Sequence, residues 1–150
     1  MIAPEQARNI LEKLSSTAAA GVELRRLAME SLSTLPGYDW SGIYRLEGQT
    51  LLLDEYVGAA TDHTRISVGV GVCGTAVAED RNQVVTDVRE LTNYLACSAQ
   101  TRSEIVVLIK SAARETLGQI DIDGHSVGAF DASDEQFLES LAALIAARWE

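Results

Sequence analysis

Two pairs of short apolar runs, each folded back on itself by a turn, constrain this chain more than any other feature. In the first, Trp40-Ser41-Gly42-Ile43-Tyr44-Arg45-Leu46 leads through the turn Glu47-Gly48 into residues 50–57. In the second, residues 103–112 and 117–123 flank a turn at Arg114-Glu115. Strands joined by tight turns pair antiparallel, so the sheet they build needs no βαβ crossover. Around the hairpins lie apolar residues at helical spacing. Residues 4–35 read as two helices, with Ile10, Leu11 and Leu14 in the first and Val22, Leu24, Leu27, Ala28 and Leu32 in the second, closed by Pro36-Gly37. Near the end, Phe137, Leu138, Leu141, Leu144 and Ile145 mark an amphipathic helix, expected to open at Ser133 with Gln136 completing a capping box. Between the hairpins, residues 64–68 read as a short β-like piece and Gly69-Val70-Gly71-Val72-Cys73-Gly74 as a bend. A short helix is expected over 75–79 and a small strand over 83–86, while 87–102 show no clear period. The order α, α, β, β, loop, β, β, α predicts an α+β domain, a central antiparallel sheet with helices packed on its faces.

A length of 150 residues suits one domain with a real core, and 47% hydrophobic against 23% charged residues is globular composition. Acidic side chains outnumber basic ones 22 to 12, giving a net charge of −10. That field repels phosphate backbones and anionic headgroups, and with Lys13 and Lys110 as the only lysines and the arginines scattered, no basic stripe opposes it. Nucleic acid and membrane surfaces are thus poor partners, whereas a cationic group is a good one. The densest apolar run, Ile105-Val106-Val107-Leu108-Ile109, is far short of the roughly 18 residues of a membrane span. The start Met1-Ile2-Ala3-Pro4-Glu5-Gln6 lacks signal-peptide character, and two cysteines are too few for a secreted disulfide framework. A soluble, cytoplasmic protein is the expectation.

The glycine bend lacks the Gly-Lys-Ser/Thr ending of a phosphate loop, so its glycines read as permitting a tight turn. Cys73 lies near the expected helix start, where the dipole favours thiolate. Cys97 sits in the long aperiodic stretch, which suits either a reactive thiol or an inert buried one. Asp121 and Asp123 alternate with Ile122, so both acids share one strand face, and Glu104 opens the neighbouring run. Such acids form either a solvated outer face or the lining of a cleft for an ammonium group. Trp40 and Tyr44, four apart, share a side of their strand and suit core packing or a small-ligand pocket. His63 and His125 have no partner at metal-ligand spacing, so no metal site is expected.

The ordered series Asp39-Trp40-Ser41-Gly42-Ile43-Tyr44, Thr64-Arg65-Ile66, Gly71-Val72-Cys73-Gly74-Thr75-Ala76, Val85-Thr86-Asp87-Val88, Leu95-Ala96-Cys97, Arg102-Ser103-Glu104-Ile105-Val106 and Gly118-Gln119-Ile120-Asp121-Ile122-Asp123 spans nearly the whole chain. It resembles the free methionine-(R)-sulfoxide reductases, which are GAF-domain enzymes. The resemblance implies one GAF domain over 1–150, with N-terminal helices in 1–36 and the sheet and last helix in 37–150. It implies reduction of free L-methionine (R)-sulfoxide by cysteine chemistry, with no bound cofactor, thioredoxin as external reductant, and a homodimer. By motif, Cys97 would be the nucleophile and Cys73 its partner. Glu104, Asp121 and Asp123 would hold the substrate ammonium or protonate the sulfoxide oxygen, and Trp40 and Tyr44 would wall the methyl pocket.

Two departures stand out. His63 occupies the place of a third cysteine that the family commonly carries, so either Cys73 takes over resolution, giving a Cys73–Cys97 disulfide, or the protein is a slow or inactive relative. Leu108 stands where the family usually has proline, a change expected to affect an edge strand. The competing readings are a non-catalytic GAF module that binds a small ligand and a partner-binding domain that keeps only the GAF shell. Phe130, Asp134 and Glu135 match the tail of the cyclic-nucleotide GAF motif, whose Asn-Lys beginning is missing.

Overall fold

The structure, a computed structural model, describes residues 1–92 and 99–150. Helices α1 (Pro4–Ser16) and α2 (Gly21–Leu32) precede strands β1 (Trp40–Glu47), β2 (Thr50–Val57) and β3 (Arg65–Ser67). Helix α3 (Gly71–Glu79), strand β4 (Gln83–Val85) and a 3-10 turn (Val88–Glu90) lead to β5 (Ser103–Lys110), β6 (Thr116–Gly124) and α4 (Ala132–Ala147). The strands form one sheet in the order β3-β2-β1-β6-β5-β4, and every pairing is antiparallel. The expected α+β architecture is the observed one. None of the described helices is long and apolar enough to cross a membrane.

Alternation along the inner strands gives the sheet two different faces. Ile43, Ile105, Val107, Ile109, Ile120 and Ile122 point to one side, where they pack with Leu24, Met29 and Leu32 of α2 and Phe137, Leu138, Leu141 and Ile145 of α4. Most of these side chains are wholly buried, and each contributes about 1.5–3 kcal/mol by leaving water. The opposite face carries a smaller cluster, Trp40, Tyr44, Leu51, Ile66, Val72, Cys73, Ala76, Val106 and Leu108, under α3.

Four local expectations need correction. Helix α3 starts at Gly71, not at residue 75, which puts Cys73 inside its first turn. Glycines are poor helix formers, so the sequence hides this start. Gly74 is there for close approach, since a Cβ on it would lie 2.5 Å from the Ser67 carbonyl oxygen. Helix α4 is capped by Asp131, not Ser133: its carboxylate accepts from the Ser133 and Asp134 amides, and Asp134 completes the box by accepting from the Asp131 amide. The first hairpin turns at Gly48 and Gln49, one residue later than expected, because Glu47 still pairs with Thr50. Finally, Leu108 lies on an inner strand. The edge strand β4 stops pairing at Gln83 opposite Val106, and beyond it the Leu108 amide donates to the Asn82 side-chain oxygen at 2.9 Å.

Candidate active site

Strand register sets out the candidate residues on the smaller-cluster face in three rows. Trp40, Asp123 and Glu104 lie side by side across β1, β6 and β5. Gly42, Asp121 and Val106 form the next row, and Tyr44, Gln119 and Leu108 the third. The period of two that sends Ile120 and Ile122 into the helix-covered core sends Gln119, Asp121 and Asp123 here. These acids do not form a solvated face: Glu104, Asp121 and Asp123 are 3%, 0% and 1% exposed.

Helix α3 lies over these rows and brings its first turn to the acids. The Cys73 Sγ donates towards Glu104 Oε2 at 3.9 Å, and one ligand-type atom each of Cys73, Glu104 and Asp121 lies within 4.8 Å of the other two. Cys73 thus stands in the first turn of α3 with its thiol directed at a carboxyl. Burial pushes the Asp121 carboxyl above the usual carboxylate range, an effect that Glu104 and Cys73 beside it partly offset. Neither Asp121 oxygen has a geometrically complete hydrogen bond among the described residues. Cys73, Glu104 and Asp121, with Ile66, Val70, Gly71 and Val72, line a cavity of about 10 Å³.

The aromatic wall is fixed by polar tips. The Trp40 indole donates to the Ala59 carbonyl at 2.9 Å, and its ring stacks on Tyr56 with centroids 5.6 Å apart. The ring lies across Gly42, where a Cβ would come within 2.4 Å of it. The Tyr44 hydroxyl donates to the His63 carbonyl at 2.8 Å, which ties the backbone of residue 63 to the site. A larger groove of about 470 Å³ lies elsewhere, lined by Asp80, Asn82, Lys110, Glu135 and Glu139 among others, with no thiol.

The GAF-domain family profile matches residues 22–149. Among curated relatives, the free methionine-R-sulfoxide reductase of Saccharomyces cerevisiae is 43% identical over 71% of this chain and 61% of its own length. That of Escherichia coli is 40% identical over 73% of this chain and 65% of its own length. The chain therefore spans a little under two thirds of these relatives. Among solved structures, the free methionine-R-sulfoxide reductase from Neisseria meningitidis, in complex with its substrate, superposes with a TM-score of 0.89 at 31% identity, over 99% of this chain and 92% of that one.

The chain belongs to the free methionine-R-sulfoxide reductase family of GAF domains.

Of the site residues that the family resemblance singles out, the structure gathers Trp40, Tyr44, Cys73, Glu104, Asp121 and Asp123 on one buried face. Cys97 lies outside the described residues. Position 63, where the resemblance leads one to expect a third cysteine and the chain has His63, adjoins this face through the Tyr44 hydrogen bond. Sequence reasoning missed three residues. Gly42 and Tyr56 hold the Trp40 ring from below and beside, and Gln119 places a wholly buried amide, with neither polar atom partnered among the described residues, in the row next to Asp121. The period-two rule that found Asp121 and Asp123 also points to Gln119.

Proposed function

We propose that the protein reduces free L-methionine (R)-sulfoxide to methionine. The observation that carries this reading is the approach of a thiol and two buried carboxyls, Cys73, Glu104 and Asp121, beside the Trp40 wall. The family membership supports the same substrate.

In this reading Glu104 and Asp123 take the substrate ammonium between them. Opposite charge repays the cost of burying two facing carboxylates. The Trp40 and Tyr44 rings wall the space for the S-methyl end. The Cys97 thiolate attacks the sulfoxide sulfur to form an S–S bond, and the sulfoxide oxygen takes a proton. The resulting hydroxyl passes from the methionine sulfur to Cys97 Sγ as the S–S bond breaks and leaves its electron pair on the methionine sulfur. Asp121, whose carboxyl burial shifts towards the protonated form, supplies that proton. Methionine leaves and Cys97 holds the oxygen as a sulfenic acid. The Cys73 thiol condenses with it, releasing water and forming a Cys73–Cys97 disulfide that thioredoxin reduces. The cavity of about 10 Å³ has room for one atom, so substrate entry widens it.

The test is consumption of NADPH by the purified protein with thioredoxin and thioredoxin reductase. Free methionine (R)-sulfoxide should be turned over and the S epimer should not. Absence of turnover above a Cys97→Ser control would remove the enzyme reading and leave a ligand-binding GAF module.

A further inference from the structure

We infer that Cys73, Glu104 and Asp121 form a site for a single thiophilic divalent cation, with the chemistry of Zn²⁺. The sequence gives no sign of it, because the residues come from three separate elements, α3, β5 and β6, at no metal-motif spacing. The fold brings one ligand atom from each to within 4.8 Å of the other two. Bond lengths of about 2.3 Å for Zn–S and 2.0 Å for Zn–O set a tetrahedral S···O separation of about 3.5 Å. The Cys73 Sγ and Glu104 Oε2 stand 3.9 Å apart, a few tenths of an ångström beyond that separation, and the Asp121 oxygen lies within 4.8 Å of both.

Two independent observations point to an occupant. Asp121 is wholly buried, one of its oxygens lies in the cluster beside Cys73 and Glu104, and neither oxygen has a geometrically complete hydrogen bond among the described residues. A buried carboxyl without a complete hydrogen bond is costly unless a cation or proton meets it. The cavity lined by the same three residues is about 10 Å³, against the roughly 10–15 Å³ that one water centre occupies. Without widening it holds a single atom or ion.

The donor set is one thiolate and two carboxylates, which leaves a fourth position for water and selects Zn²⁺ over the harder Mg²⁺ and Ca²⁺, which prefer oxygen alone. Binding displaces the protons of the Cys73 thiol and the Asp121 carboxyl to solvent. The ion occupies carboxylates assigned above to the substrate ammonium and proton, so metal and sulfoxide exclude one another. The site then acts as a reversible off-state that also shields Cys73 from oxidation. The ion site itself does not depend on the reductase reading, since binding is measured without turnover.

The experiment titrates reduced, chelator-treated protein with Co²⁺ and records its absorption spectrum. One Co²⁺ per chain should bind, with a thiolate-to-cobalt charge-transfer band and the strong visible absorption of four-coordinate cobalt, and Zn²⁺ should abolish both. Cys73→Ser should remove the charge-transfer band and Asp121→Asn should weaken binding by about tenfold or more, with circular dichroism unchanged in both. Cys97→Ser should keep the band. Weak six-coordinate absorption without charge transfer, or a band that survives Cys73→Ser, would overturn the proposal.

Discussion

Glu104 on β5 stands directly opposite Asp123 on β6, and both carboxyls are buried. Cross-strand partners hold their Cβ atoms about 4.5–5.5 Å apart, where like charges destabilise a sheet. Such a pair makes chemical sense around a cation. Glu104→Gln should therefore raise KM for the sulfoxide by about 10-fold or more, as losing a charge-assisted hydrogen bond of about 1.5–3 kcal/mol implies, with a smaller effect on kcat. Asp121→Asn should show the reverse split. An amide cannot donate a proton to the leaving oxygen, so kcat should fall by about 100-fold or more with little change in KM. Steady-state kinetics of the two variants side by side separate binding from proton delivery.

Asp121 also makes stability depend on pH. Its carboxyl is raised by burial from 3.8 in the unfolded chain. Below that value both states hold the proton and the group costs nothing extra. As pH rises from there towards the folded value, the unfolded state releases the proton first and stability falls, levelling off once the folded state has released it too. Asp121→Asn does not titrate, so its stability advantage over wild type should widen with rising pH across this window. Urea unfolding of both proteins from pH 4 to 8 measures the difference, and a constant gap would contradict the raised carboxyl.

The hydrogen bond from the Leu108 amide to Asn82 makes position 108 structural. Asn82 also donates to Glu135 at 3.0 Å, linking β5 to α4. Leu108→Pro removes the donor and should cost about 1 kcal/mol or more, without changing the sulfoxide kinetics. In an Asn82→Ala background the same substitution should cost measurably less, because the partner is already gone.

The sequence made both hairpins, the antiparallel sheet and the two faces of β6 legible, because these follow from turn residues and a period of two. Helix ends were less legible. Ser133 and Gln136 have the spacing of a capping box, yet Asp131, two residues earlier, takes the cap because its carboxylate reaches two amides. The start of α3 was hidden by glycines kept for close packing. The candidate site was readable as residue types carried by the family resemblance, but its geometry was not. Nothing local says that Cys73 reaches Glu104, 31 positions away, and this contact depends on how α3 lies over the sheet.

The two capping assignments are separable. Asp131→Ala should cost about 1 kcal/mol of stability, the usual value of an N-cap, whereas Ser133→Ala should cost only a few tenths. Thermal or urea unfolding reads the difference, and equal losses would return the cap to Ser133.

In the proposed function, buried carboxylates select the free amino acid through its ammonium group. The most direct measurement compares kcat/KM for free L-methionine (R)-sulfoxide with that for its N-acetyl derivative, which keeps the sulfoxide and lacks the charge. The derivative should be poorer by roughly 100-fold or more, because buried acids are left without their cation. Equal values for the two substrates would contradict it.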